Sequence, residues 1–347
     1  MLLVGVAITM GLLAVIASLA VDVPIRDPEG FLGPSWLRLP LLCLGAFVID
    51  VVPRSAWRSR RAPSQFLTHA RSSVAEHWTR ERFVLVVIGL ASFYVTYVSY
   101  RNLKNFLPFI RDVQYDSLLK DWDLALFFGA YPSGVLHTLL GTTTSAEVLS
   151  VVYLIFLPFV PLSLTVWLIW SPNISFGYWY VTSQCLCWAL GTASYYAVPS
   201  LGPAFENVWL VTDLEGTGVT TLQDSLYYGR QDVTQGIPFY DSFQSVAGFA
   251  SLHVAVTMCA ALVAHYTVRH AWIRWSLWTF FAATVVSTIY FGWHYIADDI
   301  AGVAIALVAV WIGGLATGQR FDKHGRSSHP TTSTASVPVD QEAETRH

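Results

Sequence analysis

Two short stretches carry most of the residues in this chain that could do chemistry. One reads Gly248-Phe-Ala-Ser251-Leu-His253 and the other His294-Tyr-Ile-Ala-Asp298-Asp299, and each opens a long apolar run. Ionisable groups placed within a membrane-spanning segment are expensive, so each marks a candidate site. His294 and Asp298 are four residues apart and share a helical face. The carboxylate is then placed to accept from one ring nitrogen and leave the other unprotonated. An imidazole held that way is a competent nucleophile toward phosphorus. His253 is available to protonate a departing alkoxide and later to deprotonate the acceptor. Ser251, at the start of its helix, offers a hydroxyl and a backbone NH to an anion drawn to the positive end of the helix dipole.

Each of these residues also has a plainer reading. A single histidine at a membrane interface serves as a hydrogen-bonded structural group, Ser251 as an ordinary first-turn residue, and Asp298 as a charge favoured by the dipole. The joint reading gains weight because all four fall at similar depth. A zinc site built from the two histidines and the aspartate is a further alternative. Cys43, Cys185, Cys187 and Cys259 all lie in apolar runs, where isolated thiols act as small core residues, so they add nothing to such a site. Neither a metal nor a cofactor is expected. Asp299 points about 100° away from Asp298 around the helix and is read as a pairing residue.

The elements that must position these groups are membrane helices. The chain has 347 residues, 54% hydrophobic and only 12% charged, against roughly 25% charged in a soluble domain. A net charge of -3 gives no reason to expect a nucleic-acid partner. A spanning helix needs about 20 apolar residues, and eight stretches come close: about 2–24, 36–53, 83–101, 146–170, 174–198, 249–268, 272–293 and 295–317. The first lacks the basic start of a secretory signal and is read as a retained helix. The expected fold is therefore an all-α, polytopic membrane helical bundle of about eight transmembrane helices. Residues 1–82 form two N-terminal helices and a basic loop, 83–317 the catalytic membrane domain, and 318–347, rich in Ser, Thr and Pro, a disordered tail. Helical spacing over Asp116–Gly129 predicts short interfacial helices; residues 64–81 do the same or form a solvated basic loop. There is no internal repeat and no matched pair of broken helices of the transporter kind.

Arginine asymmetry sets the orientation. Arg54, Arg58, Arg60, Arg61, Arg71, Arg80 and Arg82 fall between the second and third stretches, which places that loop in the cytoplasm. Threading onward puts Arg269 and the tail residues Arg320, Lys323 and Arg326 inside as well. The loop 199–248, with Glu206, Asp213, Glu215, Asp224, Asp232 and Asp241 against Arg230, falls outside. The loop 102–145 is mixed in charge and decides nothing. With this threading, the helices that follow Ser251 and His294 both run inward and their N-termini meet at the outer face.

Ser251-x-His253 followed by Ser287-Thr288-x5-His294-x3-Asp298 resembles the second and third signature motifs of the type 2 phosphatidic acid phosphatase superfamily. The resemblance covers about residues 100–315 and implies a core six-helix bundle. It also implies that His294 is the nucleophile, Asp298 its orienting carboxylate and His253 the general acid. Thr288 stands where that family has an arginine, Ala250-Ser251-Leu252-His253 where it has Pro-Ser-Gly-His, and its first motif of Lys and Arg-Pro is not visible. These departures are similar to the branch that holds inositol phosphorylceramide synthases and sphingomyelin synthases. Tyr196-Ala197-Val198-Pro199, Gly202-Pro203 and the Asp116–Gly129 segment resemble elements of that branch.

Loss of the arginine weakens bidentate phosphate binding and suits a singly charged phosphodiester. Ser251, Ser287, Arg101 and Lys104 are the phosphate-binding candidates, the last two reading equally as snorkelling residues. The expected protein is an integral-membrane lipid phosphotransferase or phosphatase with its active site outside the cytoplasm. Membrane lipids are its donors, and a lipid alcohol or water its acceptor; inositol phosphate is one headgroup that it would move. A lipid or polyprenyl-phosphate transporter that binds the headgroup without cleaving it is the alternative. A catalytically dead relative is a third, which the four residues together argue against.

Overall fold

The computed structural model describes residues 1–27, 35–60, 62–171, 173–234 and 246–319. Among the described residues the chain is all helix, without a strand. The helices are α1 (Leu2–Val21), α2 (Ser35–Arg58), α3 (Phe66–His77), α4 (Arg80–Ile110), α5 (Asp116–Leu126), α6 (Pro132–Leu140) and α7 (Thr144–Thr165). They continue with α8 (Ile174–Ala197), α9 (Pro203–Glu206), α10 (Gly218–Thr234), α11 (Leu252–Thr267), α12 (Ala271–Tyr290) and α13 (Ile296–Ala316). All eight apolar stretches hold a helix. Most of the expected tail, from residue 320 on, lies outside the described residues, as do 28–34 and 235–245.

Among the described residues four helices are long and apolar enough to cross a membrane: α1, α4, α13, and α7 with its π-helical extension to Trp170. The others fall short of that measure for visible reasons. α11 has only 16 residues, and nearly every one from Leu252 to Ala264 is buried by protein on all sides. A helix walled in by other helices has no need of a lipid-facing surface. α8 is sheathed in the same way and carries polar groups inward. Gln184 donates to the Tyr180 hydroxyl at 2.9 Å, and Tyr180 donates to Ser163 at 2.7 Å. α11 packs against α8, α12 and α13, while α4 lies between α1 and α8, and α12 leans on α7. Gly313 on α13 faces Ser183 of α8 so closely that a Cβ would collide with the Ser183 hydroxyl.

The two ends of the bundle are chemically distinct. At one end Arg82 donates to the carbonyls of Ile169 and Ser171 at 2.7 and 3.0 Å, Arg54 pairs with Asp50 at 2.9 Å, and Ser175 donates to the carbonyl of Thr317 at 2.9 Å. These bonds close the arginine-rich end. At the other end Tyr290 donates to the carbonyl of Gly141 at 2.7 Å, and the backbone NH of Tyr115 to Pro199 at 2.8 Å. That end gathers α5, α6, α9 and the starts of α11 and α13. The expected interfacial segment 116–129 forms α5. Leu118, Trp122 and Leu126 are exposed at a spacing of four, while Asp116, Leu119 and Asp123 are buried on the adjoining face. On the arginine-rich end, residues 66–77 form α3, the helical one of the two expected alternatives.

Candidate active site

α5 holds the site together through its inward face. The two carboxylate oxygens of Asp116 accept from the NH of Leu201 at 2.9 and 3.0 Å, and one of them also accepts from Gly202 at 2.9 Å. The Tyr295 hydroxyl donates to the same carboxylate at 3.2 Å. Two turns on, Asp123 accepts from the NH of Ile296, the first residue of α13, at 3.1 Å. Burial pushes both carboxyls up, Asp123 to about 6, and the backbone NH groups pull each partly back. The chain around Gly202 must turn tightly to reach Asp116. It does so at φ 100°, a conformation that only glycine adopts without strain, and its α-carbon lies against the carbonyl of Trp293 with no room for a Cβ.

His294 sits at the end of that scaffold, 7% exposed. Its Nδ1 is 3.3 Å from Asp298 Oδ2, and the same oxygen accepts from the NH of Tyr295 at 3.0 Å. Burial pushes the His294 imidazole down to about 4, against opposing pulls from the Asp299 carboxylate and the Gly248 backbone, so the ring is neutral at neutral pH. His253, in the first turn of α11, lies with its ring centroid 6.3 Å from that of His294. Aromatic rings fix its plane. Tyr153 stacks on it at 4.4 Å and 25°, Phe156 approaches to 4.1 Å, and Trp293 stacks in turn on Tyr153 at 5.2 Å and 6°. The structure thus brings His253, His294 and Asp298 together.

Ser251 is also there, fully buried, but its donors are engaged inside the protein. It is the N-cap of α11, its NH donates to the carbonyl of Asp298 at 3.0 Å, and its side chain bonds the Asp299 carboxylate. The NH expected to face an anion therefore joins α11 to α13 instead. Asp299 also accepts from the Thr288 hydroxyl at 3.0 Å, so this single carboxylate ties three helices, the pairing expected of it. Ser287 donates to the carbonyl of Leu149 on α7 at 2.9 Å. Lys104 places its ammonium 5.6 Å from the Tyr195 ring centroid and within electrostatic range of His294 and of Arg101, one turn away on α4. Cys185, Cys187 and Cys259 are buried free thiols; the side chain of Cys43 lies outside the described ones. Among the described residues no group of three His, Cys, Asp or Glu side chains is arranged to hold a metal.

Sequence reasoning missed the wall facing His294. A narrow cleft, open on one side, is lined by Lys120, Asp123, Tyr131, Ser133, His294 and Tyr295, among others. The spacing of Asp116, Lys120 and Asp123 on one face of an amphipathic helix was a signal for part of it.

Close approach of α11 and α13 sets the distance between the imidazoles. Gly302, one turn beyond Asp298, leaves a Cβ only 2.5 Å from the carbonyl of Ser251 and 3.3 Å from the Val254 Cβ. Gly302→Val should push the helices apart and lower turnover by roughly 100-fold, the loss typical of a misplacement near 1 Å. Gly302→Ala should lose less. Turnover of the purified variants, with gel-filtration profiles as the folding control, checks this; unchanged turnover in the valine variant would detach the glycine from the site.

No solved structure matches the chain. It is 34% identical over 61 residues to a lipid A 4'-phosphatase of Porphyromonas gingivalis, a match that covers 18% of this chain and 26% of that protein. The chain thus matches about a quarter of that relative's length. A model of the PAP2 superfamily matches residues 118–312, more than half of the chain, a span that runs from α5 into α13 and takes in both imidazoles and Asp298. The chain that builds this pair of facing histidines belongs to the PAP2 superfamily.

Proposed function

We propose that the protein is a multi-pass membrane enzyme that cleaves a phosphate ester of a lipid and passes the phosphoryl group, or a phospho-headgroup, to water or to a lipid alcohol. The observation that carries this is the arrangement of His294, buried beside Asp298, with His253 across a gap of 6.3 Å between ring centroids. The unprotonated ring nitrogen of His294 attacks phosphorus and the ester P–O bond breaks, leaving a phosphohistidine. The departing alkoxide takes a proton from His253. In the second half-reaction His253 removes a proton from water or an alcohol, whose oxygen attacks phosphorus and breaks the P–N bond. Asp298 fixes the ring of His294 and balances the charge that develops on it. Residues 83–317 carry this activity, and residues 1–82 flank it with α1 packed along α4. The missing arginine at Thr288 favours a phosphodiester, so transfer of a headgroup such as inositol phosphate fits as well as hydrolysis.

The site end of the bundle is assigned to the extracytoplasmic side because the opposite end collects Arg54, Arg58, Arg80 and Arg82. The test uses the purified full chain in detergent with dioctanoyl phosphatidate and dioctanoyl phosphatidylinositol, each labelled with phosphorus-32. Cleavage of the phosphorus ester is expected for at least one of them, whereas a protein that only carries lipid returns both intact. Cysteines placed at Asp224 and Ser64 report the side: an impermeant maleimide on intact cells should label the first and spare the second.

A further inference from the structure

We propose that the cleft between α5 and α6 is an oxyanion site that receives the phosphoryl oxygens of the substrate, with Lys120, Ser133 and the first turn of α6 as its donors. The proposal rests on the reading of His294 as the group that attacks phosphorus. α6 has nine residues and begins with proline, and no side chain caps it. Its first backbone bond runs from the NH of Val135 to the carbonyl of Tyr131, so the NH groups of Ser133 and Gly134 have no acceptor within the helix. A helix start alone is no site. Here the Ser133 side chain is 3% exposed, lines the cleft, and has a hydroxyl with no hydrogen-bond partner. Buried hydroxyls are normally satisfied, and one left open at a cleft wall invites a ligand acceptor.

Lys120 brings the cation. It lies on the cleft between Asp116 and Asp123, whose bonds to Leu201, Gly202 and Ile296 anchor α5, so the stem of the lysine starts from a fixed place. His294 and Tyr295 line the same cleft. Asp123 also lines it, and its Oδ1 is held by the NH of Ile296; as an acceptor it turns an oxyanion toward the Lys120 and Ser133 side. Of the donors expected for this duty, the two serines are engaged elsewhere. The Ser251 NH goes to Asp298 and the Ser287 hydroxyl to the carbonyl of Leu149. An ammonium, a hydroxyl and helix-start NH groups suit the non-bridging oxygens of a phosphate ester.

The test uses the full chain in detergent with His294→Asn, so that nothing turns over, titrated calorimetrically with inorganic phosphate and separately with dioctanoyl phosphatidate. Lys120→Met and Ser133→Ala should each weaken binding of both by about tenfold, the value of one hydrogen bond to a charged group. Lys120→Arg should stay within about threefold of the parent. Ser133→Ala should leave the thermal midpoint unchanged or raise it, because the hydroxyl makes no bond within the protein. Unchanged affinities in both variants would overturn the site. So would a loss confined to the lipid with inorganic phosphate unaffected, which would mean contacts to the glycerol part. Binding of inorganic phosphate without the lipid would overturn the assignment to a headgroup. Failure of the wild-type protein to turn over any lipid, with these losses intact, would remove the catalytic reading and leave the anion site standing.

Discussion

Replacing His294 with alanine should abolish turnover of every substrate whatever its leaving group, with a loss on the order of 10⁵-fold, because on the proposed mechanism the covalent intermediate forms on its ring. The ring is well placed for that role: buried, neutral, and held by Asp298 Oδ2 at 3.3 Å. The pH dependence follows from the same burial. The attacking lone pair is lost when the imidazole gains a proton, and the pKa near 4 means that this happens well below the ordinary histidine range. The acid limb of kcat/KM, which reports the free enzyme, should therefore fall below pH 5 and not near 6.5. Asp298→Asn should keep some activity, since the amide oxygen still accepts from a ring NH, but with slower phosphoenzyme formation. Rapid-quench measurement of phosphorus-32 on the protein checks all three. An alanine variant at position 294 that keeps a tenth of its activity would refute the nucleophile assignment.

Replacing His253 with alanine should instead cost activity in proportion to how much protonation the leaving group needs. A lipid alkoxide is strongly basic and must be protonated as it departs, so loss of roughly 10³-fold is expected with a lipid ester, within the range of general acid catalysis. A nitrophenyl ester has an acidic leaving group and should still form phosphoenzyme at a measurable rate. Breakdown of that intermediate should slow too, because the proposed mechanism has the same residue activate the incoming alcohol or water. The label that accumulates should be acid-labile and base-stable, on His294. The stacking of His253 on Tyr153 at 4.4 Å makes a structural control necessary. His253→Phe keeps the ring stack and should behave like the alanine variant in the assay. Equal losses with both esters would refute the division of labour, and label found on position 253 in a His294 variant would reverse it.

What local pattern can encode, the sequence made legible. His294 and Asp298 meet because four residues bring side chains to one helical face, which is a property of the helix and of nothing beyond it. The amphipathic character of α5, the positions of the apolar helices and the segregation of arginines to one end follow from composition within single segments in the same way. The number of helices facing lipid was less legible, because polar groups in α8 and the short length of α11 reflect burial by neighbours that a single segment does not name. The rest depends on contacts between residues far apart in the chain. Asp116 reaches Leu201 and Gly202, Asp123 reaches Ile296, and Ser251 gives its NH to Asp298 while its side chain meets Asp299. Local pattern marks Ser251 as an anion donor and says nothing of what Asp116 and Asp123 hold, yet all three are struts. Ser133 has no motif to mark it, and Lys120 only its place on one face of the amphipathic α5. They face His294 only because those struts draw α5 and α6 over the starts of α11 and α13, where buried polar groups without water must find partners wherever the fold supplies them.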